Sequence, residues 1–134
     1  MTASRQRFLD AASAAADLLA APEVAAAWEE PSALAEFSVR GLAGHLAAQI
    51  LFVRDALEGP EAAGETVSIH DYYARASWIG ADLDDAFNEG IRAKGEKDAS
   101  DGPRALAERA AEGIRAKGEK DASDGPRALA ERAA

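Results

Sequence analysis

The chain has 134 residues, a net charge of -9 and no cysteine. This length is that of about one domain, and the acidic balance argues against nucleic acid or an anionic membrane as partner, because both require clustered Lys and Arg. The absence of cysteine excludes disulfides, thiolate metal sites and a cysteine nucleophile. About a quarter of the residues are alanine, and the other abundant residues are also strong helix formers. The composition therefore predicts an all-α fold of closely packed helices.

The first predicted helix runs from Thr2 or Ser4 to Ala20. Its apolar residues recur at helical spacing: Phe8, Ala12, Ala15, Leu18 and Leu19. Asp10 and Asp17 interrupt the apolar run, which is not typical of a signal peptide. No run in the chain approaches the roughly 18 apolar residues of a membrane span. We therefore expect a soluble cytoplasmic protein.

An irregular connection follows, with a short helical turn expected from Val24 to Trp28 and Trp28 as a lid over the core. The second and most amphipathic helix begins at Ser38, a favourable N-cap residue, and ends at the Gly59-Pro60 stop. Its predicted core face consists of Val39, Leu42, Leu46, Ile50, Val53 and Leu57. Gly41 and Gly44 lie one turn apart within it, which predicts the close approach of another helix or a ligand.

The third predicted helix begins at Ser68, which forms a sequence resembling a capping box with Asp71. It continues through a bend at Gly80 and fades near Asp98. The apolar column of its second half comprises Leu83, Phe87 and Ile91.

An exact repeat forms the end of the sequence. Residues 89–111 read EGIRAKGEKDASDGPRALAERAA, and residues 112–134 repeat them without a change. Leu106, Ala110 and Ile114 lie 23 residues, one repeat period, after residues 83, 87 and 91, so we expect them to continue the same apolar column. Asp101-Gly102-Pro103 is predicted to open a fourth helix that ends near Lys117 or Asp121. A final short segment is expected over Arg127 to Ala134.

These elements predict a four-helix bundle with a short extra C-terminal segment. We divide the chain into a helical bundle domain, residues 1–111, and the second repeat copy, residues 112–134. The second copy either completes the bundle or is appended to it.

Two histidines and one acidic cluster are the candidate sites of chemistry. His45 flanks the apolar stripe of the second helix, where it is either a metal ligand or a packed structural side chain. Gln49, one turn later, is placed to support a ligand rather than to be one. His70 is typical of a solvated residue in a helix's first turn. The acidic cluster is more typical of a helix start than of a cation site, and consists of Asp82, Asp84, Asp85 and Glu89.

Several segments together resemble the N-terminal domain of the mycothiol-dependent maleylpyruvate isomerases, within the DinB-like group. The resemblance rests on Trp28-x-x-Pro31-Ser32-x-Leu34, Ser38-Val39-Arg40-Gly41-Leu42-Ala43-Gly44-His45-Leu46, Tyr72-Tyr73-Ala74-Arg75, Asn88 with Ile91-Arg92, and Gly102-Pro103-Arg104-Ala105-Leu106. It implies an up-and-down four-helix bundle holding a divalent metal, commonly zinc, on three ligands. It also implies that the metal binds or activates a small thiol such as mycothiol, with His45 as the first ligand.

The sequence departs from this family in the remaining ligands. The resemblance places them in a histidine-containing segment of the fourth helix, but no histidine follows His70. We therefore expect a truncated, metal-binding relative of these thiol-dependent enzymes that is incomplete as a catalyst. One alternative is a non-catalytic interaction or homodimerisation module whose repeat helix faces the partner. The other is a small-molecule-binding bundle that uses a pocket beside Gly41, Gly44 and His45 without metal.

Overall fold

The computed structural model describes residues 3–60, 64 and 67–123, except the side chains of residues 57 and 116–123. Within these residues the chain forms six helices and no strand, which confirms the all-α prediction. The helices are α1 (Ala3–Leu19), α2 (Pro22–Ala26), α3 (Val39–Glu58), α4 (Ile69–Ala74), α5 (Ala86–Asp98) and α6 (Pro103–Ser123). None of the described helices is both long and apolar enough to cross a bilayer.

The four longest helices pack into a bundle. Helix α3 contacts both α5 and α6, and α1 contacts both α3 and α6. Leu19 and Pro103 line one groove between α1 and α6, while Phe8 and Ile114 line a second, so these two helices run antiparallel. This arrangement agrees with the predicted four-helix bundle.

Small side chains dominate the core. Leu106 is the one large side chain among the described residues that is fully buried. The buried core comprises Ala12, Ala16, Leu19, Ala43, Ala47, Ile50, Ala99, Leu106, Ala107 and Ala110. Because alanine buries little area, this core requires helices that approach closely over their whole length. The composition correctly predicted that property.

Two predicted core faces were partly wrong. On α1, Leu18 is 57% exposed, whereas the next residue, Leu19, is buried. On α3 the buried stripe is Ala43, Ala47 and Ile50, so Ile50 alone of the predicted column is fully buried, and Leu46 packs against the core from its edge. The side chain of Leu57 lies outside the described residues. The bundle turns the alanine side of α3 inward because only small residues allow the neighbouring backbones to come so close.

The segment predicted to form the third helix forms two separate helices, α4 and α5. Helix α4 ends at Ala74, and α5 begins after an N-cap at Asp85 whose Oδ1 accepts a hydrogen bond of 2.9 Å from the Phe87 N–H. Gly80 lies between them with φ of +80°, a left-handed conformation that a helix cannot contain. The predicted cap of α4 is confirmed, since Ser68 Oγ accepts from the Asp71 N–H at 3.1 Å.

The short helix before α3 begins earlier than predicted, at Pro22, because proline is well suited to a helix's first turn. Trp28 is half-buried against the core, as predicted for a lid. The start of α3 is confirmed, with Ser38 as its N-cap.

The predicted apolar column does not keep one environment along the chain. Leu83 and Phe87, which precede the repeat, are largely exposed, whereas Leu106 and Ala110, 23 residues later in its first copy, are buried. Helix α6 begins at Pro103, as predicted, and continues across the repeat junction to Ser123. Residues 124–134, including the predicted segment from Arg127 to Ala134, lie outside the described residues. The division of the chain at residue 111 stays a prediction.

Candidate ligand-binding site

Glycines set the distance between α3 and α5. A Cβ built on Gly44 would overlap the carbonyl oxygen of Gly95 and lie 2.8 Å from its carbonyl carbon. A Cβ on Gly95 would overlap the carbonyl oxygen of Gly41. The sequence predicted a close approach of a helix or a ligand at Gly41 and Gly44, and the structure shows that it is a helix. Of the pocket predicted beside Gly41, Gly44 and His45, the space next to the two glycines is therefore filled by α5, whereas a cleft is present on the His45 side.

A polar cluster joins the start of α3 to α5. Ser38 Oγ accepts from the Gly41 N–H at 2.9 Å and donates its own hydrogen to a carboxylate oxygen of Glu96. Arg40 Nε donates to the other oxygen of Glu96 at 2.5 Å, and its Nη1 lies 3.2 Å from Glu29. The hydrogen bond from Ser38, followed by the hydrogen bond and charge of Arg40, lowers the pKa of Glu96, although burial opposes this. The pKa of Arg40 is raised by Glu96.

This polar cluster was not predicted from the sequence. Glu96 lies 58 residues after Ser38 and within a repeat rich in charged residues that reads as a solvated helix surface. One available signal was the glycine that precedes it. Gly95 permits the close approach of α3, and its neighbour Glu96 then lies at the edge of the interface.

Beyond the glycines, α3, α5 and α6 border a cleft of about 570 Å³. Aliphatic and aromatic side chains form part of its wall, and polar and charged side chains form the rest. The lining residues include His45, Ala48, Gln49, Leu51, Phe52, Arg54, Asp55, Ile91, Lys94, Asp98 and Arg109. The cleft is therefore both apolar and charged, as are many small-molecule sites.

His45 lies in this cleft and is half-buried. Its ring centroid is 6.0 Å from that of Phe37, at an interplanar angle of 45°. Gln49 donates to the backbone carbonyl of His45 at 3.4 Å, so the hydrogen bond reaches the main chain of His45 and not its imidazole. The role predicted for Gln49 beside a metal ligand has no support in this geometry.

Three cationic side chains and two acidic side chains border the cleft. Arg54 pairs with its neighbour Asp55 at 2.5 Å, and Lys94 pairs with Asp98 one turn later. Arg109 donates from Nη2 to the backbone carbonyl of Asp98. Since that carbonyl is uncharged, the charge of Arg109 is not cancelled there. The nearest carboxylate paired with Arg109 belongs to Asp101, at 3.6 Å.

The other sequence candidates lie away from the cleft. His70 is exposed in the first turn of α4, as predicted. In the acidic cluster, Asp85 is the N-cap of α5 and Glu89 lies in its first turn, so these carboxylates stabilise a helix start. Asp82 contributes its backbone carbonyl to a 2.8 Å hydrogen bond with Asn88.

The described residues do not fit a three-ligand metal site. No group of three His, Asp or Glu side chains lies close enough together in that part of the chain to hold a metal ion. His45 lies in the cleft with Asp55 and Asp98, but both carboxylates pair with cations. The donor set therefore supports no metal-dependent step.

A family model described as the mycothiol maleylpyruvate isomerase N-terminal domain matches residues 8–133. The match extends through the second repeat copy, beyond the segments on which the sequence resemblance rested. Comparison with curated proteins and with solved structures gave no match.

Proposed function

The chain belongs to the mycothiol maleylpyruvate isomerase N-terminal domain family, and we propose that it binds a small organic anion in the cleft beside His45. One observation carries this proposal. The cleft is bordered by more cationic than acidic side chains, although the whole chain has a net charge of -9. A cleft that is locally less acidic than the rest of the chain is a favourable place for an anion on a surface that otherwise repels it.

The shape and walls of the cleft favour an organic ligand over an inorganic ion. A volume of about 570 Å³ is within the usual range for small-molecule sites. Leu51, Phe52 and Ile91 provide apolar surface for a carbon skeleton. Arg109 on α6, which donates to an uncharged carbonyl, and Lys94 on α5, which is shared with Asp98, place positive charge beside a bound carboxylate or thiolate.

His45 is proposed as the polar group that orients the ligand on the α3 side. A neutral imidazole both donates and accepts a hydrogen bond, so it suits either a carboxylate or a hydroxyl group. The family name makes mycothiol the first ligand to test. Because this chain has no cysteine, any thiol chemistry in the cleft must use a thiol that the ligand brings.

Metal binding by His45 stays a prediction. The described residues supply no three-ligand set, so we assign no chemical step to zinc or another divalent ion. We propose a ligand-binding domain rather than a self-sufficient isomerase or transferase. Elemental analysis of the purified full chain and of His45→Ala checks the metal separately. Stoichiometric metal that is lost in the variant would restore the metal-site hypothesis.

The binding proposal is tested by calorimetric titration of the full chain with mycothiol, and with succinate and its neutral diamide, a pair that is matched in size and differs in charge. We expect succinate to bind more weakly as salt increases, because screening weakens the attraction between charges. Binding of the diamide should be much weaker.

One lysine variant and one arginine variant make the test specific to the cleft. Lys94→Gln removes a cleft charge, and a loss of about 1 kcal/mol corresponds to about fivefold weaker binding. Arg104→Gln is the matched control, because Arg104 lies on α6 outside the cleft and pairs with Glu108. Equal affinity of Lys94→Gln and wild type, or equal affinity for succinate and the diamide, contradicts the proposal.

A further inference from the structure

Four aromatic side chains form a continuous exposed row on the segment from α4 to the start of α5. Tyr72 and Tyr73 meet edge to face with centroids 5.2 Å apart, and Tyr73 meets Trp78 at 6.3 Å. Trp78 and Phe87 are stacked, with centroids 6.1 Å apart and planes within 10° of parallel. All four are large residues that remain exposed in the folded chain.

Three exposed aliphatic residues neighbour this row in the sequence. Ile69 lies one turn before Tyr72 and Tyr73 in α4, Ile79 follows Trp78, and Leu83 lies four residues before Phe87, in the turn ahead of α5. We call the seven residues the aromatic face. Their exposed fractions range from 38% for Trp78 to 76% for Ile69.

We propose that the aromatic face is the surface through which two copies of this chain form a homodimer. This inference goes beyond the proposed ligand binding and does not depend on it. An aromatic side chain has roughly 150–250 Å² of surface, so the four rings, about half exposed, present about 400 Å² per molecule. With the three exposed aliphatic residues, this is at the upper end of the roughly 300–600 Å² of the largest apolar patch on most monomers.

The area is sufficient for the apolar centre of a dimer interface. A standard interface buries about 800 Å² on each partner, of which the four rings supply about half, and the exposed aliphatic residues and the polar rim add to it. A two-fold axis brings the same patch of each copy together, and rows of aromatic rings are self-complementary in stacked and edge-to-face arrangements. An anionic membrane is disfavoured as the occupant by the chain's net charge of -9.

Charges beside the aromatic face predict the salt dependence of the dimer. Asp82, Asp84 and Asp85 immediately precede Phe87, and Asp71 lies between Ile69 and Tyr72. The arginines of this segment, Arg75 and Arg92, do not balance these four aspartates. Two such surfaces repel each other, so the dimer should become tighter as salt increases, which is opposite to the salt dependence expected of the cleft.

Sedimentation velocity of the full chain, from about 5 µM to about 500 µM, tests the dimer. We expect a monomer–dimer equilibrium for wild type that shifts toward dimer at high salt. Ile79→Asp should weaken it at least about tenfold, because the dimer would bury an unpaired charge. Leu18→Asp is the matched control on α1, since Leu18 is 57% exposed and Ile79 is 55% exposed. It should leave the equilibrium unchanged.

A fluorescence measurement keeps the test independent of the variants' stability. In a Trp28→Phe chain, Trp78 is the one tryptophan, and its emission should shift to shorter wavelength as concentration rises and the face becomes buried. A monomer at every concentration with constant Trp78 emission overturns the proposal. So does a dimer that Ile79→Asp and Leu18→Asp weaken equally, or binding of the face to lipid vesicles while the chain remains monomeric.

Discussion

Replacing Gly44 with alanine should push α3 and α5 apart. The added Cβ would lie 2.8 Å from the carbonyl carbon of Gly95 and 3.1 Å from its Cα, in addition to overlapping the carbonyl oxygen. These are backbone atoms, so no side-chain rotation relieves the overlap. The two helices must separate until the contacts approach 3.4 Å, where ordinary van der Waals packing begins. Separation also weakens the Ser38–Glu96 and Arg40–Glu96 hydrogen bonds beside the glycines.

The magnitude follows from two opposing effects. Overpacking of this kind costs about 1–3 kcal/mol, and we expect the upper half of that range because the clash is with the main chain. Alanine gains about 1 kcal/mol over glycine from helix propensity. The net expectation is a loss of about 1–2 kcal/mol in the free energy of unfolding.

Gly90→Ala provides the matched control. Gly90 also lies within a helix, but a Cβ there would meet no atom within 4 Å. Gly90→Ala should therefore gain the higher helix propensity of alanine without a clash, and its free energy of unfolding should increase by up to about 1 kcal/mol. Urea unfolding followed by circular dichroism measures both variants. The reasoning is refuted if Gly44→Ala is as stable as Gly90→Ala.

Ser38→Ala removes both the α3 cap and a hydrogen bond to Glu96, so urea unfolding should show a loss of about 1–2 kcal/mol. Ser68→Ala, at the cap of the short exposed α4, should cost less, and equal costs would contradict this explanation. Because Glu96 has a lowered pKa in the folded state, its contribution is complete above the ordinary carboxyl range and is lost as the pH falls through it. The difference in thermal stability between wild type and Glu96→Gln should therefore shrink below about pH 4.5, and a constant difference from pH 6 to 3 would rule this out. Sedimentation at low and high salt should show that Ile79→Asp, but not Leu18→Asp, weakens the dimer.

The sequence was most informative where one residue controls the local backbone. Ser38 at the start of α3, Ser68 at the start of α4 and Pro103 at the start of α6 were all predicted, because caps and prolines act within one turn. The break between α4 and α5 was missed. There the apolar spacing continues through Leu83 and Phe87, while the turn depends on Gly80 and the Asp85 cap.

Core faces were harder to predict because periodicity gives most weight to large side chains. On α3 the large residues recur regularly, yet the glycines and alanines face the neighbouring helices. The repeat shows this limit most directly. Gly90 and Gly113 occupy the same position in identical sequences, but Gly90 faces open space and a Cβ on Gly113 would lie 3.2 Å from Leu51. Only the tertiary fold distinguishes them.

Only part of the candidate site was predicted, because the rest also depends on the tertiary fold. His45 could be found from its position beside the apolar stripe and from the family resemblance. Lys94 and Arg109 could not, because they lie 49 and 64 residues later in sequence, in a repeat that reads as a solvated surface. Folding brings all three to one cleft.

The most direct test of the anion site is the calorimetric titration of the full chain with succinate at low and high salt, repeated for Lys94→Gln and Arg104→Gln. We expect binding that weakens with salt, is about fivefold weaker in Lys94→Gln and is unchanged in Arg104→Gln. Absence of binding, or binding that neither salt nor Lys94→Gln alters, would contradict the assignment of the cleft beside His45 as an anion site.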